Sequence, residues 1–195
     1  LGAAGRGPMK YVSTRGQAPV LDFSDVLLAG LAGDGGLYVP EAWPQLPEGW
    51  DEPRPYPELA TDILWPYVDG SSLPRAILDD LVRQAYATFD HPEVCPLVEV
   101  EPGLYVVELF HGPTLAFKDV ALQLVGRLFD WELTRRGERA TIVVATSGDT
   151  GSAAIAACVG RPMLDLVVLH PAGRVSDVQR RQMTTVDAPN VHNVA

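Results

Sequence analysis

The chain has 195 residues, a formal charge of -10 and a sequence pI near 4.7. With 47% hydrophobic and 21% charged residues it is too apolar for a disordered protein and long enough to bury a core. Its negative charge repels a phosphate backbone and an anionic lipid surface, so nucleic acid and membrane are excluded as partners and a small-molecule substrate is favoured.

Cys95 and Cys158 are too few and too far apart for a metal cage or a disulfide framework, and are expected as core thiols in a reducing cytoplasm. No apolar run reaches the roughly 20 residues of a membrane span, and the first residues lack the pattern of a signal peptide. A cytoplasmic location is expected.

Residues 1–8 have no periodic pattern and precede Met9, and are expected to be a tag or a disordered tail. Residues 9–94 read as a small domain of short helices and proline-rich connections. Asp22 or Ser24 can cap a helix running through Val26, Leu27 and Leu31. Gly33-Asp-Gly-Gly36 then forces a turn. The prolines crowd between Pro40 and Pro74, which favours extended connections, and Trp43, Trp50 and Trp65 are expected to pin that segment down. One helix is predicted near Pro57 to Tyr67 and another from Pro74 to about Phe89, with proline in the first turn.

From about Cys95 the pattern changes, and 95–195 reads as the start of a second domain. Val98-Glu-Val100 and Leu104 to Leu109 are β-rich runs joined by Glu101-Pro-Gly103, a hairpin signature. Val120, Ala121, Leu124, Val125 and Leu128 fall on one face of a predicted helix that Gly137 can end, with Glu132 and Arg136 spaced to pair on the solvent side. Thr141 to Ala145 is predicted as a short buried strand, Ser152 to Val159 as a helix ended by Gly160, and Leu166 to Leu169 as the next strand. Strand, helix, strand at this spacing is a βαβ unit, so an α/β fold with a parallel sheet is expected. Asn190 to Ala195 begins a further strand and then stops, from which an incomplete domain is expected.

Two segments carry chemistry. Glu108 to Asp119 runs from a strand through a Gly-Pro turn into a helix whose start carries Lys118. The positive end of the helix dipole disfavours an ammonium there by about 0.3–1 kcal/mol. A lysine pushed toward its neutral form is the nucleophile that Schiff-base chemistry requires. The alternative is a surface lysine with an acidic neighbour, Asp119.

Thr146-Ser-Gly-Asp-Thr-Gly151 lies between a strand and a helix. Glycines let backbone approach a ligand, hydroxyls add donors, and the N–H groups of a helix start face an arriving carboxylate or phosphate. The same turn is also common as plain topology, and it is neither a Walker loop nor a dinucleotide fingerprint. His111 reads either as a neighbour of a pocket or as a turn histidine bonded to backbone. Arg174 and Ser176 could face phosphate, but Ser176 reads better as the cap of a helix carrying Gln179 to Met183. His91, His170 and His192 lack metal-ligand spacing, and no metal is expected.

Together the two segments resemble the fold-type II pyridoxal-phosphate enzymes, and Phe110-His-Gly-Pro-Thr-Leu-Ala-Phe-Lys-Asp119 resembles the cofactor-lysine motif of threonine synthases. Tyr11-Val-Ser-Thr-Arg-Gly16, Asp34-Gly-Gly-Leu-Tyr-Val-Pro40, Ala145 to Ser152, Gly173-Arg-Val-Ser176 and Gln179-Arg-Arg-Gln182 resemble the same family, so the resemblance covers nearly all of Met9 to Ala195. It implies pyridoxal 5'-phosphate as cofactor, held by Lys118 as a Schiff base, with Phe117 and Asp149 beside it. It implies that Lys118 also serves as general base and that Ser147, Gly148, Thr150 and Gly151 grip the carboxylate of the substrate.

The implied reaction turns O-phospho-L-homoserine and water into L-threonine and phosphate, with the family's phosphate-binding residues expected beyond Ala195. The 195-residue chain alone is therefore expected to be inactive and to bind the cofactor weakly. Asp149 stands where many fold-type II relatives have Asn, so it is expected to be turned away, protonated or paired through a donor. A monomer and a homodimer are both open. The rival readings are another lyase of this fold, such as a serine or threonine dehydratase or a β-replacement synthase, and a non-catalytic relative that binds a phosphorylated metabolite or a partner protein.

Overall fold

A computed structural model describes residues 7–146 and 148–195; residues 1–6 of the expected tail, and Ser147, lie outside the described residues. The chain divides into two compact units, the first ending at Val82 and the second beginning at Arg83.

In the first unit β1 (Tyr11–Ser13) pairs antiparallel with β2 (Tyr38–Pro40), Tyr11 opposite Pro40 and Ser13 opposite Tyr38. Two stretches singled out in the sequence are thus partners in one ribbon. The turn before β2 needs Gly35, whose φ of 78° is open to few other residues. Asp34 ties this turn to β1: its carboxylate accepts from Ser13 Oγ at 2.8 Å and from the backbone N–H groups of Gln17 and Ala18 at 2.9 and 3.0 Å.

The helix α1 (Phe23–Ala29) is capped by Asp22, which accepts from the N–H of Asp25 at 3.1 Å. Leu31 falls outside α1; it forms an isolated bridge with Leu37 because Gly30, at φ 65°, turns the chain out of the helix first. The expected tryptophan anchors are corrected in part, since Trp43 and Trp50 are exposed. Trp65 lies on α2 (Tyr56–Val68), with the Arg75 guanidinium 5.8 Å from its ring centre. Helix α3 (Arg75–Tyr86) follows Pro74 directly. Val68, Leu73, Leu78, Leu81 and Val82 form the core of this unit.

The second unit opens with the expected hairpin, β3 (Leu97–Glu101) and β4 (Leu104–Val107), turning at Gly103 with φ 80°. Every residue of both strands is exposed. Helix α4 (Asp119–Arg136) ends at Gly137, whose φ of 69° lets the chain leave in the left-handed region.

The buried face of α4 carries Leu124 and Leu128 as expected, but Ala121 is exposed, and Gln123, Gly126 and Glu132 are buried. Glu132 does pair with Arg136, at 2.5 Å, and with Arg135 at 2.6 Å. It does so from a buried position rather than on the solvent side, its carboxylate held below the usual range against the cost of burial by the two guanidiniums.

Strands β5 (Ala140–Ala145), β6 (Leu164–Leu169) and β7 (Val191–Val194) form a parallel sheet in the order β5-β6-β7. The strand at 140–145 is not buried as expected, because it is an edge strand with Val143 on a bare face. The central strand β6 buries Leu164, Leu166 and Val168 instead.

Helix α5 (Asp149–Cys158) is the crossover between β5 and β6 and begins three residues before the expected Ser152. It packs on α4 where Gly126 meets the carbonyl of Ala157, a contact that leaves no room for a Cβ. Helix α6 (Asp177–Thr184) is capped by Ser176, which accepts from Gln179 N–H at 3.3 Å. Cys158 is buried, and burial pushes its thiol up; Cys95 is only half-buried, so it is not a core thiol. Among the described residues no helix is long and apolar enough to cross a membrane.

Candidate functional site

Two chain segments meet at one contact. Lys118 sits at the cap position of α4 and donates from Nζ to Asp149 Oδ2 at 2.6 Å, on the first turn of α5. The lysine motif and the glycine turn, 31 residues apart in sequence, are thereby joined. The lysine side chain is 26% exposed and that of Asp149 51% exposed. The hydrogen bond from Lys118 holds the Asp149 carboxyl below the usual carboxylate range against desolvation; the lysine charge and the backbone N–H groups of Thr150 and Asp149 add to it. Without cofactor, Asp149 is thus paired with the Lys118 amine. Phe117 is exposed, its ring centre 4.5 Å from Lys118 Nζ.

The glycine turn is built by packing as well as by openness. Gly148 donates to Thr146 Oγ1 at 3.1 Å and is buried. A Cβ there would strike the side chain of Gln179 on α6, and one at Gly151 would lie 2.6 Å from both Met183 Sδ and Thr146 Cγ2. These two glycines let α5 sit close to α6, a reason the sequence alone did not disclose. Thr150 is half-exposed on the first turn of α5.

An open depression of about 490 Å³ lies at the carboxyl ends of β5, β6 and β7, lined by Ala145, Thr146, Leu169, His170, Pro171 and the chain end. Ligands in open α/β sheets bind at this edge. His170 was weighed in the sequence only as a metal ligand, yet its ring lines this depression and its Nδ1 is buried without a hydrogen-bond partner. Its place directly after a predicted strand was the signal available.

The His111 ring is held by two carboxylates rather than by backbone. Its Nδ1 lies 3.0 Å from Asp90 Oδ1 and its Nε2 2.8 Å from Glu108 Oε2. The Glu108 bond, opposed by desolvation and aided by Asp90, raises the pKa of the imidazole above 6.5.

The turn that delivers Lys118 is unusual. Leu115 has φ 63°, a conformation that costs a non-glycine residue on the order of 1–3 kcal/mol. Two side chains outside the expected set hold that turn. Asp119 accepts from Thr114, and Gln182 of α6 donates from Nε2 to the Thr114 carbonyl at 3.4 Å.

Known proteins resemble this chain over most of its length. A family description, threonine synthase N terminus, matches residues 10–86. A structure of threonine synthase with pyridoxal phosphate bound, from Brucella melitensis, superposes with a TM-score of 0.91 at 57% identity, over 95% of this chain and 40% of that one. The yeast threonine synthase structure superposes with a TM-score of 0.91 at 40% identity, over 98% of this chain and 41% of that one.

The fold is accordingly that of the fold-type II pyridoxal-phosphate enzymes. Among curated relatives, a threonine synthase of Pseudomonas aeruginosa is 53% identical over 96% of this chain and 40% of its own length. One from Schizosaccharomyces pombe is 47% identical over 94% of this chain and 38% of its own. Over nearly its whole length the chain is similar to the N-terminal portion of threonine synthases. It spans about two fifths of the length of the relatives it matches.

Proposed function

We propose that this chain is part of a pyridoxal-phosphate-dependent threonine synthase that converts O-phospho-L-homoserine and water to L-threonine and phosphate. Residues 9–94 belong to its N-terminal domain and 95–195 to its cofactor domain. The observation that carries the reading is the Lys118 to Asp149 contact, which sets a primary amine against the glycine turn of the neighbouring βα junction.

The residues present fit the cofactor. Lys118 offers the amine and Phe117 an exposed apolar ring close to it. Bound there, pyridoxal phosphate supplies an electron sink for carbanion chemistry. The dipole at the start of α5 favours an anion, and we assign the grip on the substrate carboxylate to Ser147, Gly148, Thr150 and Gly151.

Lys118 is the proton carrier: its free Nζ takes the proton from the α-carbon of the substrate and then serves the β-carbon. Asp149 sets a condition on this. A carboxylate held in its ionised form does not take the lysine proton, so its contact with Nζ opens before the amine acts.

Two measurements test the reading. The chain has just two lysines, Lys10 and Lys118. Incubation of a full-length protein containing this chain with excess pyridoxal phosphate, then borohydride reduction and peptide mass spectrometry, should label Lys118 in preference to the exposed Lys10. Labelling at Lys10 alone would end the enzyme reading and favour a non-catalytic relative. With a full-length protein containing this chain, phosphate release from O-phospho-L-homoserine with formation of threonine separates the synthase from a dehydratase or a β-replacement enzyme.

A further inference from the structure

Asp119 is wholly buried at the first position of α4, directly after Lys118. It faces backward. Its Oδ2 accepts the backbone N–H of Thr114 at 2.8 Å, and its two oxygens accept Thr114 Oγ1 at 2.8 and 2.9 Å. Gly112 closes on the same carboxylate, since a Cβ at 112 would lie 2.6 Å from Asp119 Oδ2. Between these points the chain makes two tight bonds, Leu115 N–H to Gly112 O at 3.1 Å and Asp119 N–H to Ala116 O at 3.0 Å. Leu115 is held at positive φ inside that loop while its side chain is exposed and adds nothing to a core.

A backbone conformation of this kind persists only where its surroundings dictate it. The surroundings here are the Asp119 carboxylate. A first-turn acid is usually explained by the helix dipole; Asp119 instead spends its acceptors on a residue five positions earlier. The loop it closes ends at Lys118, whose backbone carbonyl already belongs to α4 through the N–H of Leu122 at 2.9 Å.

We propose that Asp119 is the positioning residue of the site: through Thr114 it locks the Gly112 to Leu115 turn and so fixes where the Lys118 amine stands relative to the α5 glycine turn. It touches no reacting atom and acts through Lys118. The proposal rests on the reading of Lys118 as the cofactor lysine.

The test uses a full-length protein containing this chain and the ratio of borohydride-trapped pyridoxal phosphate at Lys118 to that at Lys10, with the melting temperature recorded for each variant. Asp119→Ala removes both contacts and should lower the ratio roughly ten- to hundredfold, the scale on which a displacement of about 1 Å acts. Asp119→Asn can still accept the Thr114 N–H and donate to Thr114 Oγ1, and should restore most of it. Thr114→Val removes only the hydroxyl contact and should fall between, with Thr114→Ser close to the parent chain.

Where Asp119→Ala fails to fold, Thr114→Val decides. Folded Asp119→Ala or Thr114→Val chains with an unchanged ratio would overturn the positioning role alone. A parent chain with no trapping at Lys118 would overturn the cofactor reading and this one with it.

Discussion

Lys118 and Asp149 form a half-exposed ion pair, and pairs of that kind are worth about 0.2–1 kcal/mol after solvent screening. Asp149→Asn removes the charged partner of the Lys118 amine. Trapping of pyridoxal phosphate at Lys118 at neutral pH should rise by up to about fivefold, which is that energy expressed as a ratio; a fall would show that Asp149 helps bind the cofactor instead. His111 gives the second residue-scale expectation. Its folded-state pKa lies above 6.5, so the protonated form is the one the fold prefers. Its contribution to stability is full below about pH 6.5 and is lost as pH rises through the folded value. Melting temperatures of the parent and His111→Gln chains should converge on the alkaline side, and a gap widening there would contradict this.

At the scale of elements, the site depends on how α5 is seated. Its start is set by β5 and its tilt by close approach to α4 at Gly126 and to α6 at Gly148 and Gly151. Gly126→Val drives a branched side chain into the Ala157 carbonyl, which cannot move without moving the helix. It should cost about 1–3 kcal/mol in urea unfolding, as overpacked core sites do. The change lies on the buried face of α4, away from the Lys118 turn, so a loss of Lys118 trapping beyond the loss of folded chain would show that α4 and α5 position the amine jointly.

For the whole molecule, the hairpin stands out. Leu97, Val98, Val100, Leu104, Tyr105, Val106 and Val107 are all exposed on a two-stranded ribbon. An exposed apolar ribbon with open edges invites pairing with another chain. The 195-residue chain should bind a hydrophobic dye and associate with rising concentration, and Val106→Lys, opposite Val98, should reduce both. Dye binding unaffected by Val106→Lys would place the sticky surface elsewhere.

Much of this was legible in the residues. The Asp22 and Ser176 caps, the Gly137 stop, the hairpin at Gly103 and the βαβ order follow from local rules, because capping and turn geometry involve neighbours a few positions apart. Lys118 and the glycine turn could be named as the chemical segments for the same reason. What local pattern could not decide was burial: Trp43 and Trp50 stayed in solvent, Val143 faced outward on an edge strand, and Glu132 went inside with two arginines. Contact between Lys118 and Asp149 and the seating of Gly151 on Met183 are likewise decided by tertiary structure. Each depends on which elements the sheet brings side by side, and side-chain periodicity along one element carries no record of its neighbours.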